Sequence, residues 1–177
     1  MTKAGGIYLT IGRTGKDIQQ REGTTMQITE IQDADIDAVL SMAAELSAHE
    51  GMPEPDLSYE KLHDVLFGSR ALVQGRVAHH ASQPLGYILW NIGYDMQNGA
   101  RTLNIIDLFV RAAHRRKGVA RSLLQGAAAH ALKKEYRFIT VQTFDQNEEA
   151  NAFYPACGAK LDNTKTYYLT IKGMSAL

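Results

Sequence analysis

The chain has 177 residues with 19 basic and 19 acidic side chains, so its formal net charge is zero, which excludes a bulk electrostatic attraction to nucleic acid or to an anionic membrane. A single cysteine, Cys157, excludes an intrachain disulfide and fits a reducing compartment. The length suits one domain with a single sizeable core, no apolar run reaches the length of a membrane span, and the N-terminus lacks the apolar core of a signal peptide, so the chain reads as cytoplasmic.

Residues 1–25 differ from the rest of the chain. They carry Gly5, Gly6, Gly12, Gly15 and Gly23, with one short apolar piece at Ile7–Ile11. Its alternation fits an edge strand, and a loosely held extension is the blander reading. Regular patterning starts at Met26. Met26–Ile31 reads as a strand. Asp33 is placed as the N-cap of a helix whose positions Ile36, Val39, Leu40, Ala43 and Leu46 follow helical spacing. The run Gly51–Asp56, with Pro53 and Pro55, breaks that helix. Ser58 caps a second helix with Leu62, Val65 and Leu66 on one face, ended by Gly68. Ala71–Ala78 and Leu85–Tyr94 read as strands joined around Ser82-Gln83-Pro84, and Asn98-Gly99 is a hairpin turn before the strand Thr102–Val110. Val119–Lys134 is the longest helix, with Val119, Leu123, Leu124, Ala127, Ala128 and Leu132 expected inward and Lys133 and Lys134 at its negative end. Phe138–Phe144 reads as a strand, Glu148–Cys157 as a helix and Thr166–Ile171 as a last strand. The order predicts an α/β (α+β) chain, a mixed sheet flanked by helices.

Two stretches carry chemistry. The first runs from an apolar strand ending Ile105, Ile106, Asp107, Leu108, Phe109, Val110 into a basic turn, Arg115-Arg116-Lys117-Gly118-Val119-Ala120, and then into the long helix. Backbone N–H groups at such a helix start are free, Gly118 admits a close approach, and the Arg and Lys side chains add charge: the combination suits a phosphate. An ordinary strand–helix turn needs no more than the glycine. The second stretch is Asn147–Ala159, in which Asn147 caps a short helix carrying Phe153 and Tyr154. A phenol is a neutral proton donor at pH 7. Pro155 follows at once, removes a helical hydrogen bond and is expected to kink the helix. Cys157 reads as a buried small residue rather than a nucleophile.

These residues resemble the GNAT superfamily of acyl-CoA-dependent N-acetyltransferases, nearest to its diamine and polyamine branch. The family's pyrophosphate loop, Gln/Arg-x-x-Gly-x-Gly/Ala, is matched by Arg115 to Ala120, and its second motif, Asn-x-x-Ala-x-x-Phe-Tyr-x-x-x-Gly, by Asn147, Ala150, Phe153, Tyr154 and Gly158. Chance alone yields the first in roughly one chain of this length in five or ten, but the second in about one in ten thousand, so the pair is the signal. The resemblance implies a domain over residues 26–177 after an N-terminal extension of residues 1–25. It implies a mostly antiparallel sheet whose central strands splay to admit acetyl-CoA as acyl donor. Main-chain groups of Leu108, Phe109 and Val110 would pair with the pantetheine arm and supply an oxyanion donor. Arg115, Arg116, Lys117, Gly118, Val119 and Ala120 would hold the pyrophosphate, with Asn147 and Phe153 also at the cofactor. Tyr154 would protonate the leaving thiolate.

The attacking amine must lose a proton, since a lysine-like amine is neutral in only roughly one molecule in 2,500 at pH 7, a deficit of about 4.6 kcal/mol. The branch places an acidic pair before Leu/Phe-Phe-Val, but this chain has Ile106 where the branch has its Glu and keeps only Asp107. Asp107 reads equally as the base and as a structural carboxylate. Glu50, Glu54, Asp56 and Asp95 are candidates to receive a cationic amine and read more simply as solvated charges. The six histidines show no zinc-ligand spacing, and no metal is expected. The expected activity is direct acetyl transfer to a primary amine of a small molecule. Alternatives are a protein Nα or lysine acetyltransferase and a non-catalytic acyl-CoA-binding module. A homodimer is implied by the resemblance alone.

Overall fold

A computed structural model describes residues 26–162. The expected edge strand near Ile7 and the strand Thr166–Ile171 lie outside these residues. The elements are β1 (Gln27–Glu30), α1 (Ile36–His49), α2 (Tyr59–Phe67), β2 (Gln74–His80), β3 (Gln83–Asp95), β4 (Ala100–Val110), α3 (Val119–Lys133), β5 (Phe138–Val141) and α4 (Glu148–Ala156). They form one five-stranded sheet in the order β1-β2-β3-β4-β5, in which only the β4–β5 pair is parallel. A parallel pair needs a crossover, and α3 supplies it.

The sheet is the middle of three layers. On one face α3 buries Val119, Leu123, Leu124, Ala127 and Ala131 against Ile88, Trp90, Leu103 and Ile105. On the other α1 and α2 bury Ile36, Val39, Met42 and Leu62 against Val77, Tyr87, Leu89 and Phe109. Helical spacing places the stripe of α3 well except at its end. Leu132 is 55% exposed, and the stripe closes on Ala131 instead, four residues on from Ala127.

Local chemistry corrects several boundaries. Asp33 does not cap α1. It opens a 3-10 turn, Asp33–Asp35, and its carboxylate accepts from the Tyr59 hydroxyl at 2.8 Å, while Asp35 accepts the Gln32 N–H at 2.8 Å. Ser58 does cap α2, accepting the Lys61 N–H at 3.3 Å. Residues 71–73 belong to the turn after α2 rather than to β2, because Leu72 and Val73 both donate to the Val65 carbonyl. The β2–β3 turn sits at Ala81-Ser82, so Gln83 and Pro84 already pair in β3; the missing N–H of Pro84 falls at a register shift. The Asn98-Gly99 turn stands where expected, held by Asp95, whose carboxylate accepts from the Asn98 backbone and side chain. β5 ends at Val141, and Phe144 is exposed. Cys157 is half-buried rather than buried; it caps α4, and Gly158 comes next at φ 89°.

The early end of β5 has a consequence for β4. Their register runs from Thr102–Phe138 to Ile105–Val141 and stops. Beyond it, residues 107–110 of β4 continue with β3 on one side and no strand partner on the other among the described residues. The sheet therefore opens at β4 and β5, the splay implied by the resemblance.

Candidate active site

The opening begins at a bulge. Leu89 pairs with Asp107 and Trp90 with Ile105, so Ile106 is the extra residue of β4. Side-chain parity reverses there. Before it Leu103 and Ile105 face α3; after it Leu108 and Val110 do, while Phe109 turns to the α1 side. Asp107 shares that side with Phe109 and Tyr87, and Ile106 stands 47% exposed at the turn.

A cleft of about 1200 Å³ occupies the splay. One wall is β4, contributing Asp107, Leu108, Phe109 and Val110. The floor at one end is the start of α3, with Arg115, Arg116, Gly118, Val119 and Ala120. The opposite wall is α4, with Asn147, Phe153 and Tyr154. The end of α1 brings His49 and Glu50 to the rim. All the residues assigned to the cofactor or the chemistry from the two sequence stretches thus meet in one cleft except Lys117, while Pro155, Cys157 and Gly158 of the second stretch stay outside its lining. The Lys117 ammonium folds back onto the Ala113 carbonyl at 3.0 Å, so it does not line the cleft.

The basic loop is built from conformation more than from charge. Arg116 (φ 60°) and Gly118 (φ 84°) are both left-handed, and Gly118 is the N-cap of α3. A Cβ at Gly118 would meet nothing within 4 Å, so the glycine is demanded by its φ rather than by crowding from the protein. The first helical bond runs from the Ser122 N–H to the Gly118 carbonyl at 3.0 Å, leaving the amides of Val119, Ala120 and Arg121 to face outward at the positive end of the helix. The basic side chains in and beside the loop, Arg111, Arg115, Arg116, Lys117 and Arg121, turn different ways. Arg111 turns to Glu45 (3.1 Å) and the Pro84 carbonyl, Arg121 reaches the Ala156 carbonyl, and Arg115 is held by the Val110 carbonyl (3.0 Å) and Glu149 (3.0 Å). Of the five basic side chains, Arg116 alone has no partner among the described residues.

Two titratable groups face the middle of the cleft. Tyr154 is 4% exposed, burial pushes its phenol above the ordinary range, and the charges of Cys157 and Asp107 add to the shift. Its ring packs edge-on to Phe153, 5.2 Å between centroids. Burial also raises the Asp107 carboxyl, opposed by a 3.1 Å hydrogen bond donated by the Tyr87 hydroxyl. Asn147 is occupied twice: its carbonyl oxygen caps α4 at the Ala150 N–H (3.0 Å), and its amide lies 3.4 Å from Glu50. Tyr87 carries no sequence signal, being one tyrosine in an apolar strand. Glu50, already a candidate from the sequence, gains its partner Asn147 only through the fold, which brings the end of α1 to the start of α4.

A second cleft of about 840 Å³ shares Ile105, Ile106, Val141, Ala150 and Tyr154 with the first. One part of its wall is amide and hydroxyl: Asn104 accepts from Thr140 (2.6 Å) and Thr102 (3.0 Å) and donates to Asn91 (3.1 Å). Asp145 and Asp162 also line it, and no lysine, arginine or histidine does so among the described residues.

Comparison with known proteins bears on the whole arrangement. The family described as "Acetyltransferase (GNAT) family" matches residues 39–159. No curated protein sequence matches the chain. Among solved structures, an aminoglycoside acetyltransferase from an uncultured soil metagenomic sample, in complex with trehalose, is 18% identical over 82% of this chain and 96% of its own, with a TM-score of 0.70. AAC(6')-Iy in complex with the bisubstrate analog CoA-S-monomethyl-acetylneamine is 17% identical, covering 82% and 98%, with a TM-score of 0.70. A ribosomal-protein-alanine N-acetyltransferase from Brucella melitensis biovar Abortus 2308 is 14% identical, covering 83% and 99%, with a TM-score of 0.66. At these identities the likeness is one of fold.

Proposed function

This chain belongs to the acetyltransferase (GNAT) family, and we propose that it transfers an acetyl group from acetyl-CoA to the primary amine of a small molecule. The observation that carries the proposal is the meeting of three features in one cleft: the free amides at the start of α3, the unpaired edge of β4, and the pair Tyr154 and Asp107. A volume of about 1200 Å³ exceeds the upper end of ordinary small-ligand pockets, about 1,000 Å³, and suits a donor as long as a coenzyme A thioester.

In this reading the amides of Val119 and Ala120, with Arg116, hold the pyrophosphate. Arg115 serves differently from a free cation: by binding the Val110 carbonyl and Glu149 it fixes the strand end to α4. Backbone groups of Leu108, Phe109 and Val110 hold the pantetheine arm and an N–H of the same stretch receives the thioester oxygen. Asp107 takes the proton of the attacking ammonium. The nitrogen–carbon bond then forms, the carbon–sulfur bond breaks, and the Tyr154 hydroxyl delivers its proton to the departing sulfur; the second proton shed by the new amide nitrogen restores the phenol, and Asp107 releases its own to solvent. Burial keeps that phenol protonated, which is the state an acid requires.

The second cleft supports a small, cationic, hydrogen-bonding acceptor, because the polar part of its described lining is amide, hydroxyl and carboxylate with no cation, beside apolar residues such as Ile105, Ile106 and Leu161. The polyamine branch gains no support: Ile106 lies at the bulge where the branch has its Glu. Acetyl-CoA with a panel of polyamines, amino sugars, amino acids and short peptides, followed by thiol release, tests the proposal. Release with small amines is expected; release with peptides alone would assign the chain to protein acetylation instead.

A further inference from the structure

We infer that Tyr87 is the positioning residue of this transferase: through its hydroxyl it fixes the Asp107 carboxylate in the wall of the first cleft, ready to accept a proton. The inference rests on the reading of Asp107 as the base.

The geometry begins with the bulge at Ile106. Without it Asp107 would join Leu103 and Ile105 on the α3 face; with it the carboxylate falls on the face of Tyr87. Tyr87 pairs with Phe109 across the ladder, so Asp107 is its diagonal neighbour on that face, within reach of a long side chain. The Tyr87 side chain is fully buried, and its hydroxyl donates to Asp107 Oδ2 at 3.1 Å. No other described residue hydrogen-bonds the carboxylate, so Oδ1 is left to face the cleft.

The charges around Asp107 make this bond matter. The end of α1 presents Glu50, with its His49 turned to Glu149 at 3.7 Å; α4 presents Tyr154 and β3 presents Tyr87, and no cation hydrogen-bonds the carboxylate among the described residues. Burial raises the carboxyl, and the Tyr87 hydrogen bond is the one influence acting to lower it. A half-buried carboxylate with a single neutral donor and no counter-ion is costly, and a purely structural role would be served as well by an amide or an apolar residue. Such an arrangement marks a group kept for its proton chemistry. Tyr87 holds the carboxylate in one orientation and keeps it ionised at lower pH than burial alone would allow.

The test compares the wild type with Tyr87→Phe and Asp107→Asn. One amine acceptor is used throughout with saturating acetyl-CoA, so ionisation of the amine is common to all three. The first readout is the pH profile of kcat; the second is a carbon-13 NMR titration of the Asp107 carboxyl, which needs no turnover. Phenylalanine keeps the ring and the packing, so the fold is retained. In Tyr87→Phe the acidic limb of kcat and the NMR midpoint are both expected to rise by about one pH unit, with KM for acetyl-CoA unchanged. In Asp107→Asn the limb is expected to vanish. A limb and midpoint unmoved in Tyr87→Phe, with the limb lost in Asp107→Asn, would make Tyr87 a packing residue and leave Asp107 as base. A limb that survives in Asp107→Asn would overturn the base reading itself, and the inference with it.

Discussion

Replacing Tyr154 by Phe removes one hydroxyl from the wall between the two clefts and changes little else. The ring is 4% exposed and packs on Phe153, contacts that phenylalanine keeps. No hydrogen bond joins the hydroxyl to another described residue, so its loss leaves no orphaned partner, and stability should stay within about 0.5 kcal/mol of wild type. The chemical step is another matter. A positioned acid contributes about 10²- to 10⁴-fold, or about 2.7–5.5 kcal/mol in the barrier. Tyr154→Phe should therefore lower kcat by that factor while the acetyl-CoA dissociation constant stays within about twofold, since the proposed phosphate contacts lie at the start of α3. Thiol release at saturating acceptor gives kcat, and calorimetric titration gives affinity. A variant with kcat within threefold of wild type would refute the assignment of Tyr154 as the acid.

Three further outcomes are expected from the same geometry. Gly118→Glu forces an L-residue into φ 84°, at a cost of about 1–2 kcal/mol, and aims a negative charge at the outward amides of α3; acetyl-CoA affinity should fall at least about a hundredfold by titration, and retained affinity would overturn the phosphate-loop assignment. Asp107 is raised by burial, so the folded state binds its proton more tightly than the unfolded chain does, and the stability it lends at low pH is lost as pH rises through the folded value. Asp107→Asn should accordingly raise Tm at pH 7 relative to wild type, with the gain shrinking towards pH 4; a gain that grows on acidification would contradict the sign. Leu123→Ala empties a fully buried site between α3 and the sheet and should cost about 2–5 kcal/mol in denaturant unfolding, while a loss below about 1 kcal/mol would mean that the α3 layer is loosely packed.

Much of the fold is legible in the sequence because periodicity carries it. Each described helix and strand stands within a few residues of its expected place, and the glycine signals at Gly68, Asn98-Gly99 and Gly158 mark real ends. The errors fall where local hydrogen bonds compete with pattern. Asp33 looks like a helix cap but is taken by Tyr59, and residues 71–73 look like strand but fold back on Val65. In the candidate site, the two motifs name residues that do line one cleft. The partnerships among them are not legible, because they depend on a bulge. Leu103, Ile105, Asp107 and Phe109 read as one alternating stripe, and only the extra residue at Ile106 sends the last two to the opposite face. The same limit applies to charge. The run Arg115-Arg116-Lys117 reads as three free cations, yet two of them are satisfied by backbone carbonyls nearby in the chain, at Val110 and Ala113.

The central claim is that the splay between β4 and β5 holds an acyl-CoA and passes its acetyl group to an amine. Calorimetric titration of the wild-type chain with acetyl-CoA, followed by thiol release across the amine panel, tests it most directly. The account predicts micromolar binding with one site per chain and release of free thiol with a small amine. Absence of binding would contradict the assignment of the cleft at Arg115–Ala120, and binding with no release from any acceptor would contradict the roles given to Tyr154 and Asp107.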